Sequence, residues 1–190
     1  MEENYLDSAK RQFLYYRSLG QKTFNQLSDE ELFWQYNEAS NSIAVIVNHL
    51  SGNMKSRWTN FLSEDGEKVW RNRDQEFEPI LNTRDEVQEA WNEGWACLFK
   101  ALESLNATNI KEVVYIRNMG HTIIEAINRQ LTHYAYHIGQ IVYLGRMLKG
   151  DQWVSLSIPK GESTKYNAAK FSQPAQKEHF TNEFLEEDGK

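Results

Sequence analysis

The chain has 190 residues with 21 Lys and Arg against 27 Asp and Glu, a formal charge of −6 without a basic block, which makes nucleic acid a poor partner. Its length suits one domain with a sizeable core and is short for two. The single cysteine, Cys97, excludes an internal disulfide framework; with no leader pattern after Met1 and no apolar run approaching ~18 residues, a soluble cytoplasmic protein away from membranes is expected.

The first helical pattern covers about residues 4–27, where Leu6, Phe13, Leu14, Tyr16, Gly20, Phe24 and Leu27 give a broad apolar face. Ser28 and Glu31 have the spacing of a capping box, so a short turn opens there, with Leu32, Phe33 and Trp34 sealing one end. Ser40, Asn41 and Ser42 announce a second helix that reaches about Leu62 on the stripe Ile43, Ile46, Val47, Leu50, Met54, Trp58 and Phe61. His49 lies one residue off that stripe. Gly52, one turn further on, leaves room for a ligand or another helix to approach, and Asn53 follows it. Taken alone, His49 reads as a structural histidine.

Residues 63–82 are charged, with Trp70 and Phe77 as the only large anchors, and read as the long crossover of a bundle. Thr83 caps a third helix, with Asp85 and Glu86 complementing the dipole of its first turn. It runs to about Leu105 through Val87, Trp91, Trp95, Leu98 and Leu102. Cys97 lies within it, without a His or second Cys nearby in sequence, and reads as a small packing residue. Residues 106–119 are irregular except for the β-like run Val113–Ile116. Gly120, His121 and Thr122 then open a fourth helix, with Thr122 as its cap and Ile123, Ile127, Leu131, Tyr134, Ile138 and Ile141 as its stripe. Beyond Gly150 no helical period is visible, and the tail is expected to pack along the other elements as far as about Tyr166 or Phe171, with an acidic, frayed end.

The fourth helix carries His133 and His137. Four residues apart, they share a face with roughly 5–6 Å between β-carbons, so their rings can converge on one ion. They sit beside the apolar stripe, in a row with Gln130 and Gln140. A solvated or hydrogen-bonded pair without metal accounts for the spacing as well, and a third ligand must come from elsewhere. His49 stands in the same offset from its own stripe. His121 and Glu125 form a rival pair, although a carboxylate in the first helical turn explains Glu125 without a metal. No Glu-x-x-His spacing occurs, which disfavours ferritin-like di-iron chemistry.

These elements predict an all-α four-helix bundle, up and down with one long crossover and a short non-helical C-terminal tail. The domain is expected over residues 1–171, with residues 172–190 a polar, partly disordered tail. Asn48-His49-Leu50 on the second helix and Leu131-Thr-His133-Tyr-Ala-Tyr-His137-Ile-Gly-Gln140 on the fourth resemble the DinB/YfiT-like superfamily of metal-dependent enzymes. The resemblance is to its bacillary branch, which shares the Asn41-Ser-Ile43 helix start, the run from Asn53 to Trp58 and the lead-in from Gly120 to Glu125; it spans about residues 10–170. It implies that His49, His133 and His137 bind a divalent metal, Zn²⁺ or Ni²⁺. Asn53, Gln140 and Trp58 are then expected behind the ligands or in the pocket wall. The resemblance further implies thiol S-transfer to a small-molecule substrate, with bacillithiol or a similar low-molecular-weight thiol as co-substrate, by a protein that forms homodimers. Three imidazoles leave a fourth position open, the form of a catalytic zinc site, so metal-dependent hydrolysis is the alternative chemistry. A bundle that binds metal or a small ligand without turnover is the alternative of a different class.

Overall fold

The computed structural model describes residues 2–185, which are mostly helical and include seven α-helices and one two-stranded sheet. In chain order they are α1 (Glu2–Phe24), α2 (Asp29–Phe33), α3 (Ile43–Trp58), α4 (Arg84–Glu103), β1 (Val113–Ile116), β2 (Met119–Thr122), α5 (Ile123–Lys149), α6 (Ser163–Phe171) and α7 (Asn182–Leu185). No helix among these residues is long and apolar enough to cross a membrane.

The helix starts follow their capping residues. Ser42 Oγ accepts from the Val45 amide at the head of α3, while Ser28, Thr83 and Thr122 form full capping boxes with Glu31, Glu86 and Glu125. Each box satisfies amide groups that an open helix end leaves unpaired. The four long helices then bury their stripes: α1 packs on α5 and α4, and α3 packs on α4 and α5. Phe13, Trp58, Trp91, Trp95 and Tyr134 lie at the centre of this core, all almost fully buried. Edge-to-face and tilted contacts link them, such as Phe13 to Tyr134 at 5.8 Å and Trp91 to Trp95 at 5.4 Å between centroids. At Gly20 α1 presses against a ring of α4, since a β-carbon there would lie 2.4 Å from Trp91 Cη2.

Three sequence expectations change. Trp70 does not anchor the crossover; it is 57 % exposed. Ion pairs hold this segment instead. Glu67 accepts from Arg57 at 3.0 Å and Arg71 at 3.1 Å, and buried Lys68 donates to the Asp65 carbonyl at 2.7 Å. Charged residues hide this anchoring from hydropathy, which scores them as exposed. Secondly, Gly120 and His121 belong to a strand, β2, antiparallel to β1, which the sequence did not suggest; α5 itself starts at Ile123 after its expected cap, Thr122. Arg117 and Asn118 turn the hairpin with φ of 54° and 58°. That left-handed backbone is uncommon outside glycine, and the Asp65 carboxylate supports it by accepting both amides at 2.8 Å. Thirdly, the segment after Gly150 is not free of helix. α6 forms there, and α7 packs on α1, with Arg11 donating to Asn182 at 2.6 Å and Lys22 to the Phe184 carbonyl at 3.1 Å. Short helices held by polar contacts, α7 to α1 and α6 to α7 through Tyr166 and Lys170 on Glu183, leave no periodic stripe to read.

Candidate metal centre

His49 comes from the middle of α3, and His133 and His137 from adjacent turns of α5. Packing of the two helices brings the three Nε2 atoms together, with His133 Nε2 3.4 Å from that of His49 and 3.1 Å from that of His137. One ligand atom from each ring lies within 4.8 Å of the others. The arrangement could hold a metal ion.

The opposite ring nitrogens account for this convergence. His49 Nδ1 sits 2.9 Å from Glu76 Oε2, and His137 Nδ1 sits 2.9 Å from Gln140 Oε1. A carboxylate and an amide oxygen only accept, so each Nδ1 carries a proton and each Nε2 is turned inward. Burial, followed by the neighbouring histidines, pushes His133 down to about 3; burial also lowers His137. Both rings are therefore neutral at pH 7, the form that ligates metal. The donor set fits a divalent ion of imidazole preference such as Zn²⁺.

Glu76 is fixed in turn. Arg71 grips it with two bonds, Nε to Oε1 at 2.7 Å and Nη2 to Oε2 at 2.8 Å. Burial alone would raise the Glu76 carboxyl, but Arg71 and His49 hold it below its usual value, so it stays charged. The space for it is made by Gly52, where a β-carbon would stand 2.4 Å from Glu76 Oε1. The room left on α3 one turn beyond His49 is filled by a carboxylate of this same chain. Phe77 stacks on the His49 ring at 4.5 Å between centroids and covers its outer face.

The remaining sequence candidates divide. Gln140 aims His137 directly. Asn53 lines the pocket beside the histidines, and its Oδ1 accepts from the Tyr134 hydroxyl at 3.1 Å. Trp58 stands behind, donating from Nε1 to the same hydroxyl at 3.0 Å and lining a small cavity away from the histidines. His121 lies apart from the cluster and meets Arg129 Nη1 at 3.1 Å. Glu125 is used in the α5 capping box. Cys97 is half-buried against Thr59.

The histidines open into a pocket of about 600 Å³ whose wall includes Arg57, Arg71, Arg73, Arg117, Arg129 and Tyr136. Sequence reasoning missed Glu76 and these arginines, because they come from α3, the crossover, the hairpin and α5 without a shared spacing. Gly52 was the one local signal of Glu76.

A family model described as "Protein of unknown function (DUF1572)" matches residues 1–162. No curated protein and no solved structure matches the chain.

Proposed function

We propose that this chain, which belongs to the DUF1572 family, is a DinB/YfiT-like four-helix-bundle enzyme, with its domain over residues 1–171, that binds a divalent metal and transfers a low-molecular-weight thiol. The observation that carries the reading is the convergence of three inward-directed Nε2 atoms on an open pocket. A divalent ion held there would favour thiolate over thiol in a bound co-substrate and so supply a nucleophile at neutral pH.

The chain's own groups do the rest. Glu76, clamped by Arg71, keeps the proton of His49 on Nδ1 and the ring turned inward. Gln140 does the same for His137. Burial keeps the His133 and His137 rings neutral and available as ligands. Asn53 stands where it can orient a substrate without exchanging protons. Among the described residues no Asp or Glu lines the pocket, so none of them is set to take a proton from attacking water. A thiol starts much closer to ionisation than water does; it would lose its proton to solvent at the site and attack without a base. This favours thiol transfer over hydrolysis: a carbon–sulfur bond forms as the bond to the leaving group breaks and its electron pair departs with that group.

The test combines metal analysis of protein purified without a His tag with a conjugation assay using bacillithiol or a simpler thiol and monochlorobimane. Wild type is expected to carry metal and accelerate conjugation, and His137→Ala to lose both. Equal rates from the two proteins across several thiols and electrophiles would remove the transferase reading.

A further inference from the structure

Five arginines, Arg57, Arg71, Arg73, Arg117 and Arg129, line the pocket of the three histidines, whereas the chain as a whole carries a charge of −6. Crowding guanidinium groups raises a Coulomb repulsion that only counter-charge relieves. Two of the five are neutralised from behind: Arg57 and Arg71 are mostly buried and bind Glu67, and Arg71 also clamps Glu76. Of the outer three, Arg73 and Arg129 are not, and Arg117 has only a share of Glu67. Arg73 is exposed and lies 5.2 Å above the Phe77 ring, with no carboxylate partner among the described residues. Arg129 is exposed, and among the described residues its guanidinium meets the imidazole of His121 and no carboxylate. Arg117 reaches Glu67 at 3.3 Å, a carboxylate already shared by Arg57 and Arg71.

These outer arginines are also aimed. Phe77, stacked on His49, supports Arg73; His121 steadies Arg129; and the Asp65 clamp on the hairpin turn sets the backbone of Arg117. They come from the crossover, the hairpin turn and α5, three separate elements that meet at one cavity. A planar guanidinium binds carboxylate and phosphate oxygens in pairs, which makes such a group an oxyanion seat. The pocket's size suits a small molecule.

We propose that Arg73, Arg117 and Arg129 form a subsite for the anionic end of a small organic substrate, a phosphate monoester or a polycarboxylate, whose reacting end lies at His49, His133 and His137. The inference rests on the enzyme reading only for the position of the reacting end; capture of the anion does not require a metal.

The test is calorimetric titration with inorganic phosphate and with succinate, using succinamide as the neutral control. It is run on wild type stripped of metal by chelating resin, which leaves no soluble chelator to compete as an anion. Saturable binding of both dianions, absent for succinamide and weakened by salt, is expected. The double variant Arg73→Ala/Arg129→Ala, folded by circular dichroism because both positions are exposed, is expected to lose about tenfold or more in affinity. Tighter phosphate binding assigns a phosphate ester, and tighter succinate binding a polycarboxylate. Absence of saturable binding in wild type, or unchanged affinity in the double variant, would overturn the subsite. His133→Ala separates the two readings: it is expected to lose metal and keep phosphate affinity. If it keeps metal the triad reading falls and the subsite stands; if it loses phosphate the anion seat lies at the histidines and the subsite falls.

Discussion

The interior has two sides built on different physics, and α3 runs through both. Around Trp58, Trp91, Trp95 and Phe13 the contacts are ring against ring, non-directional and shared among many partners. Around His49, Arg57, Arg71 and Glu76 they are directional and few. One carboxylate, Glu67, serves three guanidinium groups, and Glu76 serves one guanidinium and one imidazole. A vacancy in the first region leaves a cavity that neighbours partly close. A vacancy in the second leaves a buried charge without a partner and a histidine without an aim. The apolar side therefore carries the stability of the molecule, and the polar side its geometry.

Trp95→Ala gives the largest test of that division. It should destabilise the fold by about 3–5 kcal/mol in denaturant unfolding while the folded fraction retains metal affinity. Loss of metal affinity in the folded protein would break the distinction. Glu76→Gln keeps the shape and an acceptor but removes the charge, and should cost about 3 kcal/mol because Arg71 loses a buried counter-charge. Unlike Trp95→Ala, it should also weaken metal binding by about tenfold to hundredfold, measured by competition with a chromophoric chelator. His137→Ala should empty the metal site yet change the stability of the metal-free protein by only about 1 kcal/mol, since the apolar stripes of α3 and α5 remain. A much larger loss would mean that the histidine cluster holds the helices together.

The smallest effect is expected from acid. Burial pushes the Asp65 carboxyl up, but the amides of Asn118, Glu67 and Arg117 outweigh it and hold the group below its ordinary value. A carboxylate with a lower pKa in the folded state stabilises fully above its unfolded value of about 3.9, and that contribution fades as pH falls through the folded value. Wild type should thus lose stability below about pH 4 more steeply than Asp65→Asn, which lacks this part of the slope from the outset. Parallel acid limbs for the two proteins would remove Asp65 from the support of the hairpin.

What the sequence by itself determined is what depends on near neighbours along the chain. Ser42, Thr83 and Thr122 mark the helix starts because a cap and its amide lie within three residues. The stripes from Ile43 to Trp58 and from Ile123 to Ile141 mark the buried faces by their period, and His133 and His137 share a face for the same reason. His49 could be singled out by its offset, although its partnership with them depends on how α3 meets α5. Only the tertiary structure decided the rest of the site. Arg71 and Glu76 become the support of His49 through the path of the crossover, and Glu76 is seated where Gly52 leaves space. Arg73, Arg117 and Arg129 meet at one pocket although 56 residues of sequence separate the first from the last. Hydropathy marks Arg71 and Glu76 as solvent-facing, although their pairing with each other and with Glu67 and His49 buries them; Arg73 and Arg129 do face solvent, and only the path of the chain gathers them at the pocket.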